Sequence, residues 1–167
     1  IKDGRPQAKV LSVIGNKNTV GIENLYTQHK FNLPSAWSSE ALSELEQRLA
    51  PAHPLDTSQR RDLSDLEFVT IDSARTQDID DALYAEISDD GWTLYVAIAD
   101  PTAYIDTNSA LYRDIAQRAT SVYFHGDIIP MLPDSLSQDT CALSEGNDRP
   151  SLVCKISVSD AGEVGNF

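Results

Sequence analysis

The chain has 167 residues, 41% of them hydrophobic, and a formal net charge of −13. That length and composition suit one ordinary domain with a real core, or one domain plus part of another, and exclude a disordered chain. No apolar run approaches the ~20 residues of a membrane span, and the opening "IKDGRPQAKV" lacks the apolar stretch of a secretion signal, so a cytoplasmic protein with no membrane partner is expected.

The charge is unevenly placed. Residues 1–61 carry eight Lys/Arg against six Asp/Glu, whereas residues 62–167 carry five against twenty. Taken alone, the acidic second part speaks against a nucleic-acid partner, since phosphate binding needs positive charge. A divalent cation held by carboxylates reverses that inference locally, because it becomes the largest charge in the site.

In chain order, "PQAKVLSVIG" reads as a strand ending in a turn at Gly15–Asn18, and "TVGIENLY" as a second short strand. "LPSAWSSEALSELEQRLAP" predicts a helix. Trp37, Ala41, Leu45 and Leu49 recur every four residues, Leu42 widens the stripe, Ser38 is the N-cap, and Pro51 stops it. The polar, proline-bearing stretch that follows places a linker at 51–61. From residue 66 the texture becomes strand-like: "LEFVTI", then "ALYAEI", the turn "SDDG" and "WTLYVAIA", which together predict a hairpin with Gly91 in the unusual backbone region. "NSALYRDIAQRAT" predicts a second helix, capped by Asn108 or Ser109, with Leu111, Ile115 and Ala119 on one side. "SVYFHGDIIPMLP" is a proline-punctuated strand and loop, and "SLVCKISVSDAGEV" a strand with a hairpin-like turn. The fold class expected is α+β, with a mixed, largely antiparallel sheet and flanking helices.

Between the first two strand-like runs, "TIDSARTQDIDDAL" places Asp72, Asp78, Asp80 and Asp81 within ten positions, with Arg75 as the single basic residue. A solvated acidic loop is the plain reading of such a run. The apolar, β-prone flanks predict instead a tight connection between buried strands, where carboxylates held close together need a counter-charge. Oxygen-only ligands select hard cations, Mg²⁺ or Mn²⁺, and suit phosphate-ester chemistry. A Ca²⁺ loop of the EF-hand kind is excluded by Ala82 and Leu83, which follow where a turn glycine is required. Asp78 and Asp80 are two apart, Asp81 adjoins them, and Asp72 returns from the preceding strand end, so a single site is expected. Cys141 and Cys154 show neither CxxC spacing nor nearby histidine pairs, and both read as reduced, buried small hydrophobes.

"FVTIDSARTQDIDDALYAE", "WTLYVAIADPTAYI" and "ATSVYFHGDIIPMLPDSLSQDTCAL", in that order, resemble the start of the catalytic domain of the ribonuclease II/ribonuclease R family, the RNB-domain 3′→5′ exoribonucleases. The likeness covers roughly residues 60–165. Residues 1–50 more weakly resemble the end of the cold-shock (OB-type) barrel that precedes this domain, with its helical connector. The domain expectation is therefore 1–50 barrel end and connecting helix, 51–61 linker, and 62–167 the N-terminal part of the catalytic domain.

The resemblance implies Mg²⁺-dependent hydrolysis of single-stranded RNA from its 3′ end to nucleoside 5′-monophosphates by two-metal catalysis, with Mn²⁺ as a substitute ion and no action on DNA. Carried over by position, Asp72, Asp78 and Asp81 match metal ligands, and Asp80 the carboxylate most directly tied to catalysis while also ligating metal. Tyr123 matches the aromatic that stacks on RNA near its 3′ end; without the resemblance it reads as a core tyrosine of a β-rich segment. His125 is a lone loop histidine, read as structural or solvated. Asp100 is expected to cap or orient its loop, and Arg149 to pair with a local carboxylate. Competing readings are a non-catalytic RNA-processing or interaction module and a different metal-dependent phosphoesterase. The first residue is not Met and the last follows a strand-like segment, so a piece of a longer protein is expected, inactive as an exoribonuclease alone.

Overall fold

The computed structural model describes residues 8–52, 54–165 and 167. Helix α1 spans Ile22–Phe31 and α2 spans Ser39–Leu49; strands β1 (Asp81–Ser88) and β2 (Gly91–Ala99) follow, then a 3₁₀ turn at Pro101–Tyr104 and helix α3 (Ala110–Arg118). Short strands β3 (Val122–Phe124) and β4 (Asp127–Ile129), a π-helical turn at Ser135–Thr140, and strand β5 (Ser151–Ser159) complete the order.

The sheet runs β1-β2-β5, and β3-β4 stands apart as a hairpin. Every ladder among the described residues is antiparallel, within an α+β fold with flanking helices. Ser88 pairs with Gly91, leaving Asp89 and Asp90 as a two-residue connection. Gly91 sits at φ +132°, and a Cβ there would lie 2.3 Å from the Val158 carbonyl oxygen, so both backbone angle and the approach of β5 require glycine.

Helices α2 and α3 form where their caps and apolar spacing place them. The Ser38 hydroxyl accepts from Ala41 N–H at 3.2 Å, and the Ser109 hydroxyl accepts from Tyr112 N–H at 2.9 Å. Ala41 and Leu45 then meet Ala110 and Leu111 in one core with Leu136 and Cys141. Leu42, expected to widen the α2 stripe, instead faces solvent. Two further contacts tie α2 and its entry to α3: Leu111 N–H donates to Glu44 Oε2 at 3.0 Å, and Ser38 N–H donates to Asp114 Oδ2 at 2.8 Å. The Arg118 guanidinium stacks on Trp37 at 3.7 Å and donates to the carbonyls of Ala36 and Pro130, so the entry to α2 is fixed to the exit of β4.

The N-terminal expectation is corrected. Residues 8–16 form no strand, and "GIENLY", expected as a strand, opens α1. Pro6 and Gln7, the first residues of the expected first strand, lie outside the described residues. A barrel end is therefore absent among the described residues. Ile22 and Tyr26 favour strands by type, but Glu23 in the first turn and His29 and Lys30 in the last complement the helix dipole, and Asn32 in the left-handed region closes the helix with its N–H on Gln28 and His29 carbonyls.

One face of the sheet carries Tyr84, Tyr95 and Lys155 in register, with Phe68 beside Tyr84 at 5.9 Å. Strand alternation puts Ile87, Trp92, Ile98, Leu152 and Cys154 on the other face, and all five are exposed. Cys154 is thus not the buried residue expected; it stands on that open face, whereas Cys141 is buried in the core.

Candidate nuclease site

The segment from residue 70 to 80 has no regular structure and is held by its backbone. Val69 N–H donates to the Leu83 carbonyl and Leu83 N–H to the Val69 carbonyl, each at 2.8 Å, which closes the acidic loop at its base. On the returning limb, the Ile79 carbonyl accepts from Leu143 N–H and the Asp80 carbonyl from Ala99 N–H, again at 2.8 Å. A turn at Ser73–Thr76 shapes the tip, with Thr76 N–H on the Ser73 carbonyl at 3.0 Å. The incoming limb differs from the buried strand expected of "LEFVTI": it pairs only through Val69, and Ile71 is 85% exposed.

Asp72, Asp78, Asp80 and Asp81 are all exposed, and none forms an ion pair among the described residues. Solvent, rather than a basic side chain, answers the charge of this loop. No three acidic, histidine or cysteine side chains among the described residues are gathered as a metal-holding group. Asp81 opens β1 opposite Ile98 and shares the Leu83 face of the sheet, which directs it away from the alternate face of Ala82. By donor type the four carboxylates suit a hard divalent cation, being oxygen ligands open to water, but the structure does not bring three of them together as the single site expected from the sequence.

A cavity of about 240 Å³ lies against the loop. Arg75, Gln77 and Asp78 form one wall, Ile128 of β4 another, and Asp134 and Gln138 a third. The third wall depends on the π-helical turn, where Cys141 N–H reaches the Leu136 carbonyl at 2.8 Å. That turn sends Leu136 and Cys141 into the core and leaves Gln138 at the cavity. Gln138 does not stand out in the sequence, because a single widened turn has no periodic signature.

Tyr123 is 73% exposed on β3, which removes the core reading of this residue. It pairs with Ile128 across the hairpin, so the two side chains share a face. The structure thus links Tyr123, through Ile128, to the cavity that Asp78 lines. His125 lies exposed in the turn between β3 and β4.

Asp100 is 4% exposed and bonds Arg60 at 2.6 Å, while the Thr102 hydroxyl donates to its other oxygen. Burial alone would push the Asp100 carboxyl up; the bonds from Thr102 and Arg60, with the Arg60 charge, outweigh it and hold the group below its usual value. Asp100 N–H also donates to the Pro150 carbonyl at 2.9 Å, so one residue joins the linker, the end of β2 and the start of β5. Arg149, expected to pair with a carboxylate, instead donates to the backbone carbonyls of Ala142 and Asp139. It braces the segment that carries Leu143 to the acidic loop.

The RNB domain profile matches residues 60–167. Ribonuclease R of Acidithiobacillus ferrooxidans is 40% identical over 167 residues, covering 99% of this chain and 38% of that protein. Exoribonuclease 2 of Mannheimia succiniciproducens is 49% identical over 116 residues, covering 66% of this chain and 18% of that protein. Among solved structures, Mycoplasma genitalium RNase R in complex with ribose methylated single-stranded RNA superimposes with a TM-score of 0.82 at 28% identity, covering 92% of this chain and 24% of the other. The chain therefore spans well under half the length of the relatives it matches.

Proposed function

The chain belongs to the RNB-domain family, and from that premise we propose that it forms the acidic part of the active site of a Mg²⁺-dependent 3′→5′ exoribonuclease acting on single-stranded RNA. The observation that carries this reading is the acidic loop itself: four exposed carboxylates without basic partners, on a backbone clamped at Val69–Leu83, Ile79–Leu143 and Asp80–Ala99. A loop evolved only for solubility has no need of those three anchors.

In this reading Asp72, Asp78, Asp80 and Asp81 are the ligands of two divalent cations, which when bound supply an activated water and neutralise charge at the scissile phosphate. Asp80 is the carboxylate most directly tied to catalysis. Tyr123 offers an exposed ring on which a base near the 3′ end stacks without its identity being read. Release of nucleoside 5′-monophosphates follows from cleavage on the 3′-oxygen side of each phosphate.

The test is a chimera in which residues 60–167 replace the matching segment of the Acidithiobacillus ferrooxidans ribonuclease R, assayed with Mg²⁺ on RNA labelled at its 5′ end. Stepwise shortening from the 3′ end, lost in the Asp80→Asn chimera, is the expected result. A chimera that binds RNA and leaves it intact would support the interaction-module reading instead. Hydrolysis of DNA or small phosphate esters, with RNA spared, would support a different phosphoesterase.

A further inference from the structure

We propose that Arg118 is a positioning residue for RNA: held on the Trp37 ring, it fixes both legs of the β3–β4 hairpin and so sets where Tyr123 meets the 3′ end of the strand. The inference rests on the exoribonuclease reading above and adds to it a residue that lies outside the acidic loop and its cavity.

The first ground is a costly burial. Among the described residues two charged side chains are buried, Asp100 and Arg118. Asp100 has Arg60 as its counter-charge, whereas Arg118, 7% exposed, forms no ion pair among the described residues. Burying a cation without a carboxylate costs stability that an apolar side chain of similar length would keep. What the guanidinium supplies is geometry. It stacks 3.7 Å from the Trp37 ring centre, Nη2 donates to the Ala36 carbonyl at 2.9 Å, and Nη1 donates to the Pro130 carbonyl at 3.2 Å. Nε is buried with no hydrogen-bond partner among the described residues, so the bonding of this group is concentrated in its two outer nitrogens. A planar fork can stack on a ring and reach two carbonyls at once; a lysine ammonium keeps the charge and loses the fork.

The second ground is what the fork holds. Strands β3 and β4 pair with each other and with no other strand among the described residues. Arg118 ends α3, and Ala119 at φ +60° turns the chain directly into the first leg of the hairpin. The second leg leaves at Pro130, whose carbonyl returns to Arg118. Beside that tie, Met131 N–H donates to the Ser121 hydroxyl at 2.9 Å. Both ties close the base of the hairpin, and the one through Arg118 runs on to Trp37 and the entry to α2. Ile129 is buried and keeps the hairpin on the body of the protein, so the fork governs tilt more than attachment. A tilt at the base carries the exposed Tyr123 ring with it.

The experiment compares three variants. Arg118→Met keeps packing on Trp37 without the fork, Arg118→Lys keeps the charge without the fork, and Leu45→Ala, in the core between α2 and α3, is the control for lost stability alone. Hydrogen exchange of the Val122–Ile129 amides is followed by NMR on this chain, and both Arg118 variants should speed it about tenfold relative to α2. The length of the final product on RNA labelled at its 5′ end is then read in a chimera in which residues 1–167 replace the matching segment of the Acidithiobacillus ferrooxidans ribonuclease R. Both Arg118 variants should leave a longer final product with little change in the rate on long RNA, and Leu45→Ala should leave the product length native. Trp37→Ala should reproduce Arg118→Met, the two together should add nothing further, and Trp37→Phe, which keeps a ring, should restore the native length. Native product length or native exchange in Arg118→Met, or an equal change of product length in Leu45→Ala, would overturn the proposal. Degradation with native product length in both Arg118 variants sinks the positioning role alone, whereas an unaltered chimera that leaves RNA intact sinks the exoribonuclease reading and this role with it.

Discussion

Tyr123 and Ile128 stand opposite each other in the β3–β4 hairpin, and Ile128 shares a cavity with Asp78 of the acidic loop. An aromatic ring and a carboxylate forty-five positions apart in the chain are thus related through a single isoleucine, which lines the cavity with Asp78 and pairs with Tyr123 across the hairpin. The hairpin is the element that relates them, and its geometry governs the first prediction.

Because Tyr123 is exposed, Tyr123→Ala should leave the fold intact, with unchanged circular dichroism and melting temperature. In the RNA-degrading chimera, loss of a stacking ring costs about 1–3 kcal/mol per base, which should lengthen the final product more than it slows hydrolysis of long RNA. A variant that unfolds, or that alters the rate on long RNA alone, would contradict this role.

Asp80 contributes its carbonyl, not its carboxylate, to the anchoring of the loop. Asp80→Asn should therefore preserve stability and RNA binding while lowering the hydrolysis rate by about 10²-fold or more. Asp72→Asn and Asp81→Asn should raise the Mg²⁺ concentration needed for half-maximal rate. A metal titration of the chimera checks both statements, and a normal rate for Asp80→Asn would remove the assignment.

The Arg60–Asp100 pair should be a main support of the linker. Arg60→Ala leaves a buried carboxylate without its cation and should destabilise the chain by about 3 kcal/mol. Since the folded Asp100 carboxyl lies below its free value of 3.8, the contribution is complete above that value and is lost as pH falls through the lower folded value. Urea unfolding at neutral pH and near pH 3 should show the difference, and Asp100→Asn should remove that part of the acid sensitivity.

The two thiols should differ sharply. Cys141 is buried in the core, and burial pushes its thiol up to about 11, whereas Cys154 is exposed on β5. A colorimetric disulfide reagent at mild alkaline pH should label one thiol per native chain and two after denaturation. Rapid labelling of both in the native state would show that the core around Leu136 opens freely.

Much of this architecture is legible without coordinates where local rules agree with tertiary packing. Ser38 and Ser109 mark helix starts because each hydroxyl has a nearby backbone N–H to accept from, and the stripe Ala41–Leu45 points to a helical partner. Gly91 marks the hairpin for the same local reason. What stays hidden depends on contacts distant in sequence. Nothing in "GIENLY" distinguishes a strand from α1 until the caps at both ends form, and Cys154 looks like a core residue because its neighbours are apolar, although their face of the sheet is open. The acidic loop is recognisable from its residues, while its anchors, Leu143 and Ala99, have no sequence feature that reveals them. Likewise, the neutral side chains of the cavity carry no charge pattern, so only the folded chain brings Gln138 to Asp78.

The three backbone anchors of the acidic loop have a consequence for how such a site changes over generations. Position at these anchors is set by backbone N–H and carbonyl groups rather than by particular side chains, so most side chains between Val69 and Leu83, the bonded hydroxyls of Ser73 and Thr76 apart, are released from holding the loop together. Substitutions at Arg75 or Gln77 can then be sampled one at a time without unravelling the loop. A segment built this way separates heritable variation in its side chains from the requirement to fold.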